Sequence, residues 1–184
     1  MKISDRFFTS ASERGACIEK ERKVYEFLES NNIPFAGLTH DEAATIALCE
    51  EIEQKLGAEI CKNLFLCNAQ KTAFYLLIMP GRKVFKTKFL SKQIGSARLS
   101  FADAEHMEKF LNVTPGSVSA LGLLFDTERQ VRFLIDNDLL TQETIGFHPC
   151  INTSTVKIRL SDLSERFLPA LDVEPTFVEL PTEF

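Results

Sequence analysis

A chain of 184 residues with 45% apolar side chains is long enough to bury one sizeable core, and a single globular domain over residues 1–184 is expected. No apolar run has signal-peptide or membrane-helix length, and the five cysteines (Cys17, Cys49, Cys61, Cys67, Cys150) form no CxxC pair; this argues against a disulfide framework and a cysteine zinc cluster, and for reduced thiols in a soluble cytoplasmic protein. The net charge of -5 argues against a nucleic-acid partner, since phosphate binding usually leaves a basic footprint, and no DNA or membrane partner is expected.

Residues 18–31 have the spacing of an amphipathic helix, with Val24, Phe27 and Leu28 on one stripe and Asn31-Asn32 to end it ahead of Ile33-Pro34. A second helix is expected over 44–56, stopped by Gly57. The apolar runs 63–67 and 73–79, the latter closed by Pro80-Gly81, predict a buried hairpin. Next comes a basic run, Arg82, Lys83, Lys86, Lys88 and Lys92, with no acidic residue among them. A solvated loop and edge strand accounts for it as well as an anion-binding patch does. Ser100 followed by Asp103 resembles a capping box, opening a helix with Met107, Phe110 and Leu111 on one face. Residues 117–125, 131–135 and 155–158 read as strands, and 161–168 as a last helix. Helices before and between strands indicate an α/β or α+β domain, built on one mixed, mostly antiparallel sheet flanked by helices.

The common catalytic signatures GxSxG, HExxH, GxxxxGK[ST] and GxGxxG are missing, and His40, His106 and His148 do not stand in metal-ligand spacing, so no metal is expected. Polar residues at the mouths of apolar strands remain. Lys62, directly before Leu64-Phe65-Leu66, is either a solvated strand-start residue or a cation at a pocket rim, suited to a phosphate or an oxyanion. The segment Thr114-Pro115-Gly116-Ser117-Val118-Ser119 is either a plain turn or a glycine loop whose backbone N–H groups approach a substrate. Gly146-Phe147-His148-Pro149 with Asn152-Thr153 gathers an aromatic ring, an imidazole, an amide and hydroxyls in one loop. His148 there serves as a structural histidine or as a base.

Taken in order, these pieces resemble the YbaK/prolyl-tRNA-synthetase-associated domain family. His40 to Thr45 is similar to the family's His-x4-Thr stretch, and Asp136 with Leu139 to its Asp-x-x-Leu segment, so the resemblance spans about residues 20–170. It looks most like the free-standing alanyl-tRNA(Pro) deacylases. The resemblance implies trans-editing: hydrolysis of the ester between alanine and the terminal adenosine of tRNA(Pro), without a cofactor, with prolyl-tRNA synthetase as a second partner. It implies that Lys62 engages the terminal nucleotide, that the Gly116-Ser117 turn positions the ester, and that Asn63, His40, Thr45, Ser119, Phe147, His148 and Asn152 line the site. Arg82, Lys83, Lys86 and Lys88 would then meet the acceptor stem. One departure stands out: where the family turn reads Gly-x-x-x-Pro, this chain has Gly116-Ser-Val-Ser-Ala120, which restores an N–H and frees φ.

The chemistry expected is attack by water, assisted by a ribose hydroxyl of the substrate, on a carbonyl held by the N–H groups of Gly116 and Ser117. The alternatives are clearance of cysteine rather than alanine, a non-catalytic module that senses aminoacyl-tRNA, and a reactive thiol at Cys150 beside His148.

Overall fold

The computed structural model describes residues 2–42 and 46–182. Its strands are β1 (Ala36–Thr39), β2 (Glu59–Ile60), β3 (Lys62–Asn68), β4 (Phe74–Met79), β5 (Leu99–Phe101), β6 (Val131–Asp136), β7 (Thr144–Phe147), β8 (Ser154–Arg159) and β9 (Thr176–Val178). The helices are α1 (Ala11–Arg14), α2 (Glu19–Ser30), α3 (Ile46–Leu56), α4 (Thr87–Ile94), α5 (Ala104–Leu111) and α6, which begins at Leu160–Asp162 and continues through a π turn at Leu163–Phe167 into Leu168–Ala170.

The hairpin read from the two apolar runs is present: β3 and β4 pair antiparallel, Lys62 opposite Met79 and Cys67 opposite Phe74. Nearly all of β4 is buried because both its faces are covered. Phe74, Leu76 and Ile78 enter the main core, and Leu77 and Met79 enter a second cluster under α4 with Leu66, Leu90, Leu99 and Leu134. A strand buried on both faces shows a continuous apolar run rather than alternation. Helix α2 buries Val24, Tyr25 and Leu28, while Phe27 packs edge-on against Phe167, 5.4 Å between centroids.

The mixed α/β class holds, but the strands form two sheets rather than one: β1-β8-β7-β2 and β5-β3-β4-β6-β9. Within them β2–β7, β4–β6 and β6–β9 run parallel. The division falls at Cys61, a buried residue between the two residues of β2 in one sheet and the start of β3 in the other. No periodicity marks that break, because β2 is too short to show one.

Four local expectations change. Residues 117–125 form a turn and then a 3-10 helix, Ala120–Phe125; a short apolar run does not separate strand from buried helix, and Gly122 lies so close to α5 that a Cβ there would sit 2.9 Å from the Leu111 carbonyl oxygen. Ser100 lies within β5, and Asp103 alone caps α5 by accepting from the His106 N–H at 3.0 Å. The basic run is a turn and helix α4, not an edge strand. The strand β7 occupies the first part of what reads as a loop at Gly146-Phe147.

Candidate active site at the seam between the sheets

Where the chain passes from β2 to β3, successive side chains point to opposite faces, and this separates Lys62 from Asn63. Asn63 turns toward the glycine loop: its Oδ1 accepts the Ala120 N–H at 2.7 Å, and its Nδ2 donates to the Cys61 carbonyl at 3.1 Å. The N–H that proline would lack is therefore the one that ties the 3-10 helix to β3. Gly116 is exposed with φ +88°, a left-handed conformation that favours glycine, and a Cβ built on it would first meet Asn152 Nδ2, at 3.9 Å. Gly116, Asn152 and, through Ala120, Asn63 thus share one region.

The loop of Asn152 also carries His148. Its Nδ1 lies 2.9 Å from the Ser154 carbonyl and 3.3 Å from Thr155 Oγ1, and Thr155 Oγ1 lies 2.8 Å from His40 Nε2. His40 Nδ1 in turn lies 2.8 Å from the Asp41 carbonyl. A carbonyl only accepts, so each Nδ1 carries a proton and the Thr155 hydroxyl donates to His40. That assignment leaves His148 Nε2 as the ring nitrogen with an available lone pair. Burial lowers the pKa of both imidazoles, and the proximity of His40 lowers that of His148 further, so both are neutral near pH 7.

Lys62 is half-buried and reaches the other way, donating from Nζ to the Lys83 carbonyl at 2.6 Å. Its connection to the Gly116 region runs through its neighbour Asn63.

Several expected site residues have structural duties instead. Ser117 N–H donates to the Thr114 carbonyl at 2.9 Å and its Oγ closes the same turn, so this N–H is not available to an oxyanion, in contrast to the expectation. Ser119 is wholly buried and caps the 3-10 helix through Leu121 N–H at 3.1 Å. Phe147 is likewise wholly buried, in the main core, because it lies on the inward face of β7. His40 spends both nitrogens inside the protein. Lys83 does not belong to the surface patch: it is buried, with Nζ 2.8 Å from Asp136 and 2.7 Å from Asp138. Burial works against its charge, but the two carboxylates outweigh that and raise its pKa. Arg82 is exposed beside Glu53, Glu59 and Glu143 around an open groove, while Lys86, Lys88 and Lys92 are exposed on or just before α4. Thr45 lies outside the described residues. Cys150 is fully buried and its thiol is pushed up to about 12 by that burial, which removes the reactive-thiol reading.

Sequence reasoning missed Thr155, which joins the two histidines, and the Lys83 carbonyl. Thr155 carries no motif signal; only the register that sets it opposite Leu38, one residue from the end of β1, brings it to His40. Among the described residues no three His, Cys, Asp or Glu side chains gather as metal ligands, and no helix is long and apolar enough to cross a membrane.

An exposed glycine turn beside a side-chain amide, with a neutral imidazole in the same loop as that amide, suits hydrolysis of an activated ester. The family model for the aminoacyl-tRNA editing domain matches residues 40–165. The chain is 31% identical over 148 residues to the prolyl-tRNA editing protein ProX of Acetoanaerobium sticklandii, covering 80% of this chain and 90% of that one. It is 28% identical over 165 residues to prolyl-tRNA synthetase associated domain-containing protein 1 of Danio rerio, covering 89% of each. A crystal structure described as a candidate trans-editing enzyme for prolyl-tRNA synthetase superposes with a TM-score of 0.67 at 17% identity, covering 90% of this chain and 100% of that one, and so shares its fold. The chain belongs to the aminoacyl-tRNA editing domain family, as its resemblance to the YbaK/prolyl-tRNA-synthetase-associated domains implied, and with that to the aminoacyl-tRNA deacylases, which are carboxylic ester hydrolases.

Proposed function

We propose that this protein clears a wrongly attached amino acid from tRNA(Pro) in trans, alanine first, in the cytoplasm. The relative named for prolyl-tRNA editing and the one named for a prolyl-tRNA synthetase associated domain support the tRNA. The observation that carries the chemistry is the exposed Gly116 turn beside Asn152, whose loop also holds a neutral His148.

A synthetase pocket that admits proline does not strongly exclude the smaller alanine, since each methylene is worth only about 1–3 kcal/mol, and a second, smaller pocket removes the errors. Water adds to the ester carbonyl, the carbon–oxygen bond to the ribose breaks, one of the water's protons ends on the ribose oxygen and the other passes to solvent as the amino acid leaves as its carboxylate. The Gly116 N–H and the Asn152 amide face the carbonyl oxygen, a neighbouring ribose hydroxyl assists the water, and His148 Nε2 accepts a hydrogen bond from it. Lys62 keeps two N–H donors for the terminal ribose or phosphate. With Lys83 turned inward, Lys86, Lys88 and Lys92 supply the positive surface for the acceptor stem, with Arg82 at its margin. Neutralising these lysines weakens binding and flattens its salt dependence. Prolyl-tRNA synthetase is the partner that supplies the mischarged tRNA.

Cysteine is the second candidate, favoured by the altered turn at Ala120. Incubating the protein with alanyl-, cysteinyl- and prolyl-tRNA(Pro) in the presence of a chelator, beside Lys62→Ala, tests the reading. Selective loss of alanine that the substitution abolishes supports it; selective loss of cysteine transfers the assignment. Binding of all three without hydrolysis of any refutes the deacylase and leaves a sensing module.

A further inference from the structure

We propose that Lys83 and Asp136 form a positioning pair that holds the cation of the site, Lys62, in its working direction. The inference rests on Lys62 as the residue that engages the terminal nucleotide.

Among the basic residues between 82 and 98, Lys83 is the only one buried; Arg82, Lys86, Lys88, Lys92 and Arg98 are all exposed. A lysine that served only solubility would stay in water, because taking an ammonium out of solvent is costly unless it is paired. Lys83 is paired twice, and unequally. Asp136, at the end of β6, is fully buried and lies 2.8 Å from Nζ; Asp138 lies 2.7 Å from it but its side chain is 46% exposed. The first contact is the anchor, since solvent screens the second. Asp136 is itself held, its Oδ1 accepting the Asp138 N–H at 3.2 Å.

The other end of this arrangement is the Lys83 backbone. Its N–H closes the turn on the Pro80 carbonyl at 3.1 Å, and its carbonyl accepts the Lys62 ammonium at 2.6 Å. The turn is pressed onto β2 by Gly81, whose N–H donates to Glu59 Oε1 at 2.8 Å and whose Cα has no room for a side chain, a Cβ there falling 2.7 Å from the Ile60 carbonyl oxygen. Lys83 is thus fixed at its backbone by the turn and at its side chain by β6. One of three Nζ–H bonds of Lys62 is committed to a carbonyl held at both ends of its residue, and the directions of the other two follow. A four-carbon side chain otherwise samples many rotamers, and holding it before substrate arrives removes that entropy from binding.

The test compares the full-length protein with Asp136→Asn and with the double variant Lys83→Met/Asp136→Leu. The double variant removes both charges together, so no lone charge is left buried. Two quantities are read: the rate at which acetic anhydride labels Lys62, measured by mass spectrometry relative to exposed Lys23, and kcat/KM on alanyl-tRNA(Pro). The pair predicts that Lys62 labelling rises severalfold in the double variant and that kcat/KM falls by about tenfold to a hundredfold, with circular dichroism unchanged. Asp136→Asn keeps its size and removes only the charge facing Lys83, so it shows the same two changes in smaller degree, and it decides the matter if the double variant does not fold. Lys62 labelling within twofold of wild type in a folded variant overturns the proposal, whatever the activity does. Wild-type protein that hydrolyses none of the aminoacyl-tRNAs refutes the deacylase reading instead, and the labelling comparison still reports on the pair.

Discussion

Replacing Ala120 with proline removes one hydrogen-bond donor and sets the ring's Cδ where that N–H pointed, so the Asn63 amide must turn away from it. Ser119, before it, is extended at φ -151° and ψ 144°, the conformation a following proline demands, and Ala120 opens a 3-10 helix, where a proline ring is tolerated. What disappears is the 2.7 Å bond to Asn63 Oδ1. Asn63 is half-buried, so water partly replaces the donor and the loss is about 0.5–1.5 kcal/mol. Because the replaced N–H was hydrogen-bonded, the restricted unfolded chain does not offset this loss, and the substitution destabilises by more than about 1 kcal/mol. Asn63→Ala is different. It strands the N–H of Ala120, a fully buried residue, at a cost of about 1–3 kcal/mol, and frees the turn that presents Gly116. In the Ala120→Pro background no N–H remains to strand, so the same change costs less by about 1–2 kcal/mol. Urea denaturation of the four proteins measures this coupling. Deacylation assays on the same four should find Ala120→Pro active and Asn63→Ala impaired. Additivity of the two substitutions within about 0.5 kcal/mol would show that the bond does not join the turn to β3, and the reasoning would fall.

Three further outcomes are expected. The folded-state pKa values of His40 and His148 are depressed below the ordinary 6.5, so the unfolded chain binds more protons as pH drops. Stability is therefore full above about 6.5 and is lost as pH falls toward the folded values, which urea midpoints across that range will register; a rise in stability on acidification would contradict the assignment. Iodoacetamide should modify Cys17 and Cys49, which are half-buried, well before the buried Cys61, Cys67 and Cys150 in native protein, as peptide mapping will show. Gly81→Ala should destabilise the protein by about 1–3 kcal/mol in thermal or urea melts, because its Cβ meets the Ile60 backbone rather than a side chain able to move aside.

Local pattern determined a good part of this protein. The period of apolar residues was enough to read α2, the β3–β4 hairpin and β6, and an ordered series of short motifs was enough to read the family. Whether a polar group in those motifs is open to a substrate was not legible, because its partners lie far along the chain. Ala120 finds Asn63 across 57 residues, Lys83 finds Asp138 across 55, and His40 finds Thr155 across 115. Ser117, Ser119, Phe147 and Lys83 all have the residue types of a site, yet the tertiary structure uses them for a turn, a cap, a core and an ion pair. The division into two sheets at Cys61 was equally hidden, since it depends on which strands β2 and β3 pair with. Periodicity is written between neighbours in sequence; the burial and pairing of a polar atom belong to neighbours in space, and only the folded chain specifies those.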